Sequence, residues 1–223
     1  MLNAYTLASN TPLTLASFFD FGWDFTLYSE GFLALNAKTG NVDFINIDRL
    51  INRAVLDPNF ISIKDFVAAQ VGKNALEESK MTPPKIAQKL ENECKKALDL
   101  VKNIDFKTNP TLMYEVSDIK IWSYLGMYLS EKIRGGVALE MYRKSGKDAF
   151  KSEAIKHLET ALGYWDEVIK IANPIYKEMP LVHFSEQKNM SPEDKAKLRF
   201  HWALLRNEVV KDVEMARNVE VEK

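Results

Sequence analysis

The chain has 223 residues and is nearly neutral, since 30 lysines and arginines balance 31 aspartates and glutamates. This balance gives no reason to expect nucleic acid or an anionic membrane surface as a partner. Its hydrophobic fraction of 46% is ordinary for a globular protein, and no apolar run approaches the roughly 20 residues that span a bilayer. The single cysteine, Cys94, excludes an intrachain disulfide and lies on an apolar helical stripe, where a buried and inert thiol is expected.

Residues 1–80 form a smaller, mixed N-terminal segment in which short helices and extended pieces are predicted. Aromatic residues crowd residues 11–35, and those at helical spacing are Phe18, Phe21, Phe25, Tyr28 and Phe32. A helix that starts at Thr11-Pro12 is therefore favoured, although the alternation from Phe19 to Leu27 also fits a strand. Apolarity on nearly all sides indicates burial, as in a segment that packs against another domain.

The rest of this segment carries turn and cap signals. Extended structure is predicted over residues 42–47 and again over residues 60–63. Ser62 followed by Asp65 resembles a capping box that opens a short helix to about Val71. Residues 72–81 are predicted to be a polar linker.

Four long helices are predicted after this linker. Thr82-Pro83 and Asn109-Pro110 are start signals for the first two, because each places a polar N-cap before a proline at the first helical position. Gly135-Gly136 lies inside the second helix, which indicates either a close helix crossing or a kink.

The third helix is predicted to end before Asn173-Pro174, and a connection of about 17 residues follows. Ser191 starts a capping box for the fourth helix, which is expected to run through Phe200. The predicted fold is mainly α: an up-down bundle of about four long helices over residues 81–223, beside the N-terminal segment.

Familiar catalytic and metal-binding motifs are not found in the sequence. The three histidines, His157, His183 and His201, lack partners at metal-ligand spacing, so neither a metal nor a cofactor is expected. Because no nucleophile, phosphate or dinucleotide motif is present, catalytic residues stay unassigned and enzymatic activity stays an open question.

Candidate substrate-binding residues cluster among the N-terminal aromatics: Asp20, Trp23, Asp24, Tyr28 and Glu30. Aromatic faces can meet the apolar face of a sugar ring while carboxylates bind its hydroxyl groups. The alternative is that Asp20 and Asp24, four residues apart, form only the polar edge of a buried helix.

A second group of charged residues interrupts the apolar second helix: Asp118, Glu131, Arg134 and Glu140. Glu131 and Arg134 are three residues apart and can pair on one helix face. A half-buried ion pair that fixes helix packing is favoured over a catalytic role for Glu131.

Two stretches, FFDFGWDFTLYSEGFLAL (residues 18–35) and DIKIWSYLGMYLSEKIRGGVALEMYRKSG (residues 118–146), resemble the C-terminal helical region of large secreted bacterial glycoside hydrolases, including α-glucuronidase-like and related barrel enzymes. The similar positions are Leu125, Gly126, Tyr128, Glu131, Lys132, Ile133, Arg134, Val137, Ala138 and Leu139. The likeness covers about half the chain and rests on helix-packing patterns. A catalytic barrel needs roughly 250 residues, so the acids of the barrel have no counterpart here.

The resemblance implies an accessory helical domain of a carbohydrate-active enzyme, non-catalytic by itself, that contributes glycan contacts. The resemblance also implies a glycan and a separate catalytic barrel as partners, and a periplasmic or extracellular location. If the resemblance does not hold, a cytoplasmic location is expected. The alternative is a free-standing interaction module, tetratricopeptide-like or SusD-like, because residues 154–172 have the small-large spacing of a tetratricopeptide helix. A small enzyme that uses carboxylates in the bundle core is a third hypothesis.

Overall fold

A computed structural model of the chain describes residues 1–20, 27–35, 42–106, 108–180 and 199–221. Its helices are α1 (Leu2–Ala8), α2 (Asn10–Phe18), α3 (Ile47–Asn52), α4 (Ile63–Gly72), α5 (Pro83–Val101), α6 (Pro110–Ser145), α7 (Asp148–Ala172) and α8 (Trp202–Arg217). Its short strands are β1 (Leu27–Tyr28), β2 (Leu33–Leu35), β3 (Val42–Phe44), β4 (Met179–Pro180) and β5 (Arg199–Phe200). The prediction of a mainly helical protein is confirmed. None of these helices is long and apolar enough to cross a membrane.

The 36-residue helix α6 is the centre of the fold. It packs along α5 and α7, and it also contacts α1, α2, α3 and α4, while α8 packs on α7. Because neighbours surround it, α6 is buried on several faces rather than along one stripe. The up-down order of the four long helices stays a prediction.

Several helix ends follow the predicted cap chemistry. The Asn109 side chain accepts a hydrogen bond from the backbone N–H of Leu112 at 3.0 Å, directly before the proline that begins α6. Ser62 accepts from the N–H of Asp65 at 3.1 Å and donates to its carboxylate at 2.6 Å, which confirms the capping box of α4. Each of these caps binds a backbone N–H group three residues away, so cap formation does not depend on residues that are distant in sequence.

The paired glycines of α6 lie where α7 and α4 approach this helix closely. A Cβ atom at Gly135 would lie 2.9 Å from the Cγ of Leu158 on α7. One at Gly136 would lie 2.9 Å from the Cδ1 of Ile63 on α4. Close helix crossings on both sides therefore explain the two glycines.

The N-terminal aromatic stretch does not form the helix that the spacing favoured. Helix α2 ends at Phe18, and β1, β2 and β3 then form an antiparallel sheet in that order. The prediction of a helix through Phe32 is wrong, because this residue follows a 3-10 turn (Ser29–Gly31) and has a left-handed φ of 51°. Phe21, Trp23, Asp24 and Phe25 lie outside the described residues.

The described aromatics of this stretch are buried within the chain itself. Phe18, Phe19 and Phe32 are each exposed by 2% or less and share one hydrophobic core with α6 and α7. The Phe32 ring meets the edges of Tyr128 and Trp165 at centroid distances of 4.8 and 6.1 Å. Their apolarity therefore does not by itself require a missing neighbour, and a second domain stays a proposal that rests on the resemblance.

The C-terminal part also differs from its prediction. Strands β4 and β5 pair antiparallel, with Met179 opposite Phe200. The predicted fourth helix through Phe200 is wrong at this residue: α8 begins at Trp202, and the His201 side chain caps it by accepting from the N–H of Ala203. The predicted start at Ser191 lies outside the described residues.

Lys132 and Asp212 form a fully buried ion pair between α6 and α8, with Nζ and Oδ2 2.7 Å apart. The Lys132 ammonium also donates to the Tyr128 hydroxyl at 2.8 Å and to the carbonyl of Ile45 at 2.6 Å. The other oxygen of Asp212 accepts from the N–H of Ile47 at 2.7 Å. Burial lowers the pKa of Lys132 and raises that of Asp212, although each charge partly opposes the shift of the other. This cluster joins α6, α8 and the start of α3.

Cys94 is fully buried, as predicted. Its thiol lies 3.7 Å from the hydroxyl of Thr11, and burial raises the pKa of the thiol to about 12. A thiol with so high a pKa is protonated near neutral pH and is a poor nucleophile.

Candidate ligand-binding site

A cavity of about 450 Å³ opens between α6, the segment that follows α7, and β5 with the start of α8. Its lining residues combine aromatic rings with ionisable side chains: Glu30, Asp118, Ile121, Trp122, Tyr176, Lys177, Met179, Phe200, His201 and Trp202. Apolar walls with a few convergent polar groups are the usual composition of a small-molecule site. This cavity is the candidate ligand-binding site.

Aromatic side chains form one continuous wall of the cavity. The Trp202 ring contacts Phe200 and Tyr176 edge to face, at centroid distances of 5.0 and 5.9 Å. Trp122 adds a half-buried indole from α6. Rings held by their neighbours keep one orientation, so they can present a fixed surface to a ligand.

Two carboxylates face this aromatic wall. Asp118 accepts a hydrogen bond from the hydroxyl of Tyr176, which links α6 to the segment after α7. Burial raises the pKa of Glu30 above its ordinary value, and a hydrogen bond from its own backbone N–H offsets this only in part. Burial, together with the nearby Asp118 carboxylate, raises the pKa of Tyr176.

The two remaining polar groups are a histidine and a lysine. The Nδ1 atom of His201 accepts from the N–H of Ala203 at 3.1 Å, so a neutral imidazole carries its proton on Nε2. His201 is only 6% exposed, and it lines the cavity. Lys177 brings one positive charge to the rim. The site thus offers donors and acceptors, and its two acidic residues outnumber its one lysine.

Two indole hydrogen bonds position the site. Trp202 donates from Nε1 to the carbonyl of Glu30 at 2.7 Å, which joins the 3-10 turn to α8. Trp165 donates from Nε1 to the carbonyl of Trp202 at 3.0 Å, from the centre of the core. A Cβ atom at Gly31 would lie 2.6 Å from the Phe200 ring, so only glycine allows the turn to approach β5 this closely. The cavity wall is therefore continuous with the protein core.

The structure describes three of the five residues that were predicted to bind substrate, and only one of these three lines the cavity. Glu30 lines the cavity, whereas Tyr28 lies in β1 and Asp20 follows α2, and neither lines it. Asp20 has its carbonyl bound by the Arg53 side chain and its N–H bound to Ala54. Trp23 and Asp24 lie outside the described residues.

Most of the cavity residues were not identified as a site from the sequence. The sequence marks Asp118 only as a charge in an apolar helix and gives no site signal at Trp122. The cavity joins residues as distant as Glu30 and Trp202, which no local pattern connects. Within the described ranges, no group of three or more His, Cys, Asp or Glu side chains is arranged to hold a metal ion.

A separate polar network lies farther along α6, at Glu131 and Arg134. Arg134 donates to Glu131 and to Glu91, each at 2.5 Å, which confirms the predicted pair and extends it to α5. The other oxygen of Glu131 lies 2.6 Å from Nδ1 of His157, a half-buried histidine of α7. This network ties α5, α6 and α7 together.

The network predicts an acid-sensitive contribution to stability. Burial favours a higher pKa for Glu131, but His157 and Arg134 outweigh it and lower the pKa below the ordinary 4.5. A carboxylate with a lowered pKa stabilises the fold above pH 4.5 and loses this contribution as the pH falls through the lowered pKa. We expect the stability difference between wild type and Glu131→Gln to shrink below this pH in urea titrations; a constant difference would contradict the assignment.

The chain was compared with protein-family models, curated proteins and solved structures, and nothing matches in any of the three. The candidate site is therefore described by its own geometry. The aromatic wall, the Asp118–Tyr176 hydrogen bond and the half-buried Glu30 are the features from which its chemistry follows.

Proposed function

We propose that this chain is an accessory helical domain of a carbohydrate-active enzyme and that the cavity at Trp122, Tyr176 and Trp202 binds a glycan. The observation that carries the proposal is the meeting of these rings with Glu30 and Asp118 in one cavity of about 450 Å³. In this proposal α5, α6, α7 and α8 form an up-down bundle that acts as a rigid scaffold, and catalysis belongs to a separate barrel.

The chemistry of a sugar ring fits this wall. A pyranose has an apolar C–H face that packs on an indole or phenol ring, and hydroxyl groups at its edge that donate to carboxylates. Asp118 can accept from a sugar hydroxyl while it holds Tyr176, because a carboxylate has about four acceptor positions. His201 with its proton on Nε2 can donate to a sugar oxygen. Several polar groups of a neutral sugar would then find a partner.

The charges favour a neutral glycan over an acidic one. Glu30 and Asp118 would repel the carboxylate of a uronic acid, and Lys177 supplies only one opposing charge. Like charges brought together in a partly desolvated site cost several kcal/mol. The proposal is thus specific: neutral oligosaccharides bind, and those with uronic acid residues bind more weakly.

The test is a titration with neutral hexasaccharides of xylose, glucose and mannose, followed by intrinsic tryptophan fluorescence and calorimetry. We expect saturable binding of at least one of them. Replacing Trp122 with leucine removes a stacking surface but keeps an apolar group, and should weaken that binding roughly tenfold or more. Circular dichroism and the denaturation midpoint check that the variant is folded.

Tyr164→Leu is the matched control, because Tyr164 is another half-buried aromatic that does not line the cavity. Its affinity should equal that of wild type. Equal loss in both variants, or no binding of any neutral hexasaccharide, would refute a glycan site at this cavity. A natural gene without a barrel-encoding region would instead refute only the accessory role and favour a free-standing module.

A further inference from the structure

We propose a second, separate binding site, at a cavity of about 380 Å³ between α5, α6 and α7, which takes a primary alkylammonium group such as a lysine side chain or a free aliphatic amine. Its lining is mostly apolar and includes three charged or polar side chains, those of Arg134, Glu153 and His157. The remaining lining residues are Pro84, Val137, Ala138, Met141 and Phe150. It shares no lining residue with the proposed glycan site.

Arg134 contributes the aliphatic part of its side chain to the cavity, because its guanidinium group is already paired with carboxylates. Its two terminal nitrogens are each 2.5 Å from a carboxylate, one of Glu131 and one of Glu91. Burial lowers the pKa of the guanidinium, but the hydrogen bonds that it donates to both carboxylates, together with their charges, outweigh burial and raise this pKa. A guanidinium already bound on both sides has little attraction for an anion, so an acidic ligand is not expected here.

His157 and Glu153 supply the binding groups. Glu131 lies 2.6 Å from Nδ1 of His157, which places the proton of a neutral imidazole on Nδ1 and leaves Nε2 as an acceptor. Nε2 and the Oε1 atom of Glu153 are 3.8 Å apart, too far for a direct hydrogen bond. No other partner of Glu153 occurs among the described residues. Two acceptors thus lie side by side at the cavity.

The spacing of these acceptors suits one donor that serves both. An ammonium nitrogen about 2.8 Å from each acceptor fits between atoms that are 3.8 Å apart. An ammonium carries three N–H donors and one positive charge, which meets the charge of Glu153. The aliphatic stem then packs between Val137, Met141 and Phe150, where a shorter or more polar cation would leave apolar surface uncovered.

The experiment uses the full chain with its methionine and valine methyl groups labelled for NMR, at about pH 8, where an ordinary imidazole is neutral. n-Butylammonium should shift the methyl signals of Val137 and Met141 in a saturable way over a millimolar titration. Butyrate has the same chain length with the opposite charge and should cause no saturable shift.

Glu153→Gln removes the charge and keeps the shape, and it should weaken n-butylammonium binding roughly tenfold. Glu167→Gln is the matched control, because Glu167 is an exposed glutamate on the same helix that pairs with Lys170 instead. Its affinity should equal that of wild type. Because both replaced side chains are largely exposed, both variants should fold.

Two probes separate the sources of the amine. Tighter binding of an N-acetylated pentapeptide amide with a central lysine would identify a protein side chain as the occupant, and tighter binding of n-butylammonium would identify a small amine. The proposal is overturned if butyrate binds as well as n-butylammonium, if Glu153→Gln binds like wild type, or if no saturable shift occurs. None of these outcomes bears on the proposed glycan site.

Discussion

Replacing Lys132 with methionine is expected to lower the free energy of unfolding by about 3–5 kcal/mol, because it leaves the buried carboxylate of Asp212 without its counter-charge. The remaining partner of Asp212 would be the N–H of Ile47, 2.7 Å from its other oxygen. Tyr128 and the carbonyl of Ile45 would also lose their donor. Urea denaturation at neutral pH, followed by tryptophan fluorescence, measures the loss.

Lys211→Met is the matched control, because Lys211 precedes Asp212 on α8 but is largely exposed and pairs with Glu208. Its effect should stay within about 0.5 kcal/mol. The double variant Lys132→Met with Asp212→Leu should be more stable than Lys132→Met alone, since no buried charge is left unpaired. A Lys132→Met protein as stable as wild type would show that the pair is not buried in solution.

Gly126→Ala is expected to destabilise the fold by about 1–3 kcal/mol, the usual cost of forcing an extra methyl group into a packed core. The new Cβ would clash with the Sγ of Cys94 on α5 and with the Oγ1 of Thr11 on α2. Three helices meet at this point, so none of them can move away without opening a gap elsewhere. Thermal and urea denaturation provide the measurement.

Gly163→Ala is the control for this substitution, because a Cβ atom there has nothing within 4 Å. It should stabilise the chain by about 0.5–1 kcal/mol, since alanine is the better helix former. Combining Gly126→Ala with Cys94→Ala removes the nearer clash and should recover part of the lost stability. A neutral Gly126→Ala would place α2 and α5 farther from α6 than described.

Local signals explain which helices were predictable. The N-caps Ser62 and Asn109 act on backbone groups within three residues, and Gly146 ends α6 with a left-handed φ of 67°. The stripe that includes Ile86, Leu90 and Cys94 is buried as expected. Signals of this kind depend on the chain's own neighbours and so can be read from one sequence.

The aromatic stretch was mispredicted because its neighbours are distant in sequence. Phe18, Phe19 and Phe32 are buried on all sides, so apolar spacing could not separate a helix from strands. Their partners come from α6 and α7, about 100 residues further along the chain. Tertiary contacts, which no local pattern contains, decide the structure there.

The buried ion pair had a sequence signal that was missed. Lys132 follows Leu125 by seven residues and Leu129 by three, which places it on the apolar stripe of α6. Asp212 likewise lies between Val209 and Ala216 on the buried face of α8. A charge on each of two apolar stripes indicates a buried pair, although the sequence does not say that they meet.

The pairing of β4 with β5 has a consequence for how this protein can vary between organisms. Because Met179 lies opposite Phe200 and Pro180 opposite Arg199, the last described residue before position 181 and the first one after position 198 are paired neighbours. For two points that are already adjacent, doubling the number of residues between them costs only about 0.6 kcal/mol in closure entropy. We therefore expect related chains to differ in the number of residues between these two strands, whose Met179 and Phe200 line the aromatic cavity, while the helices beneath stay the same.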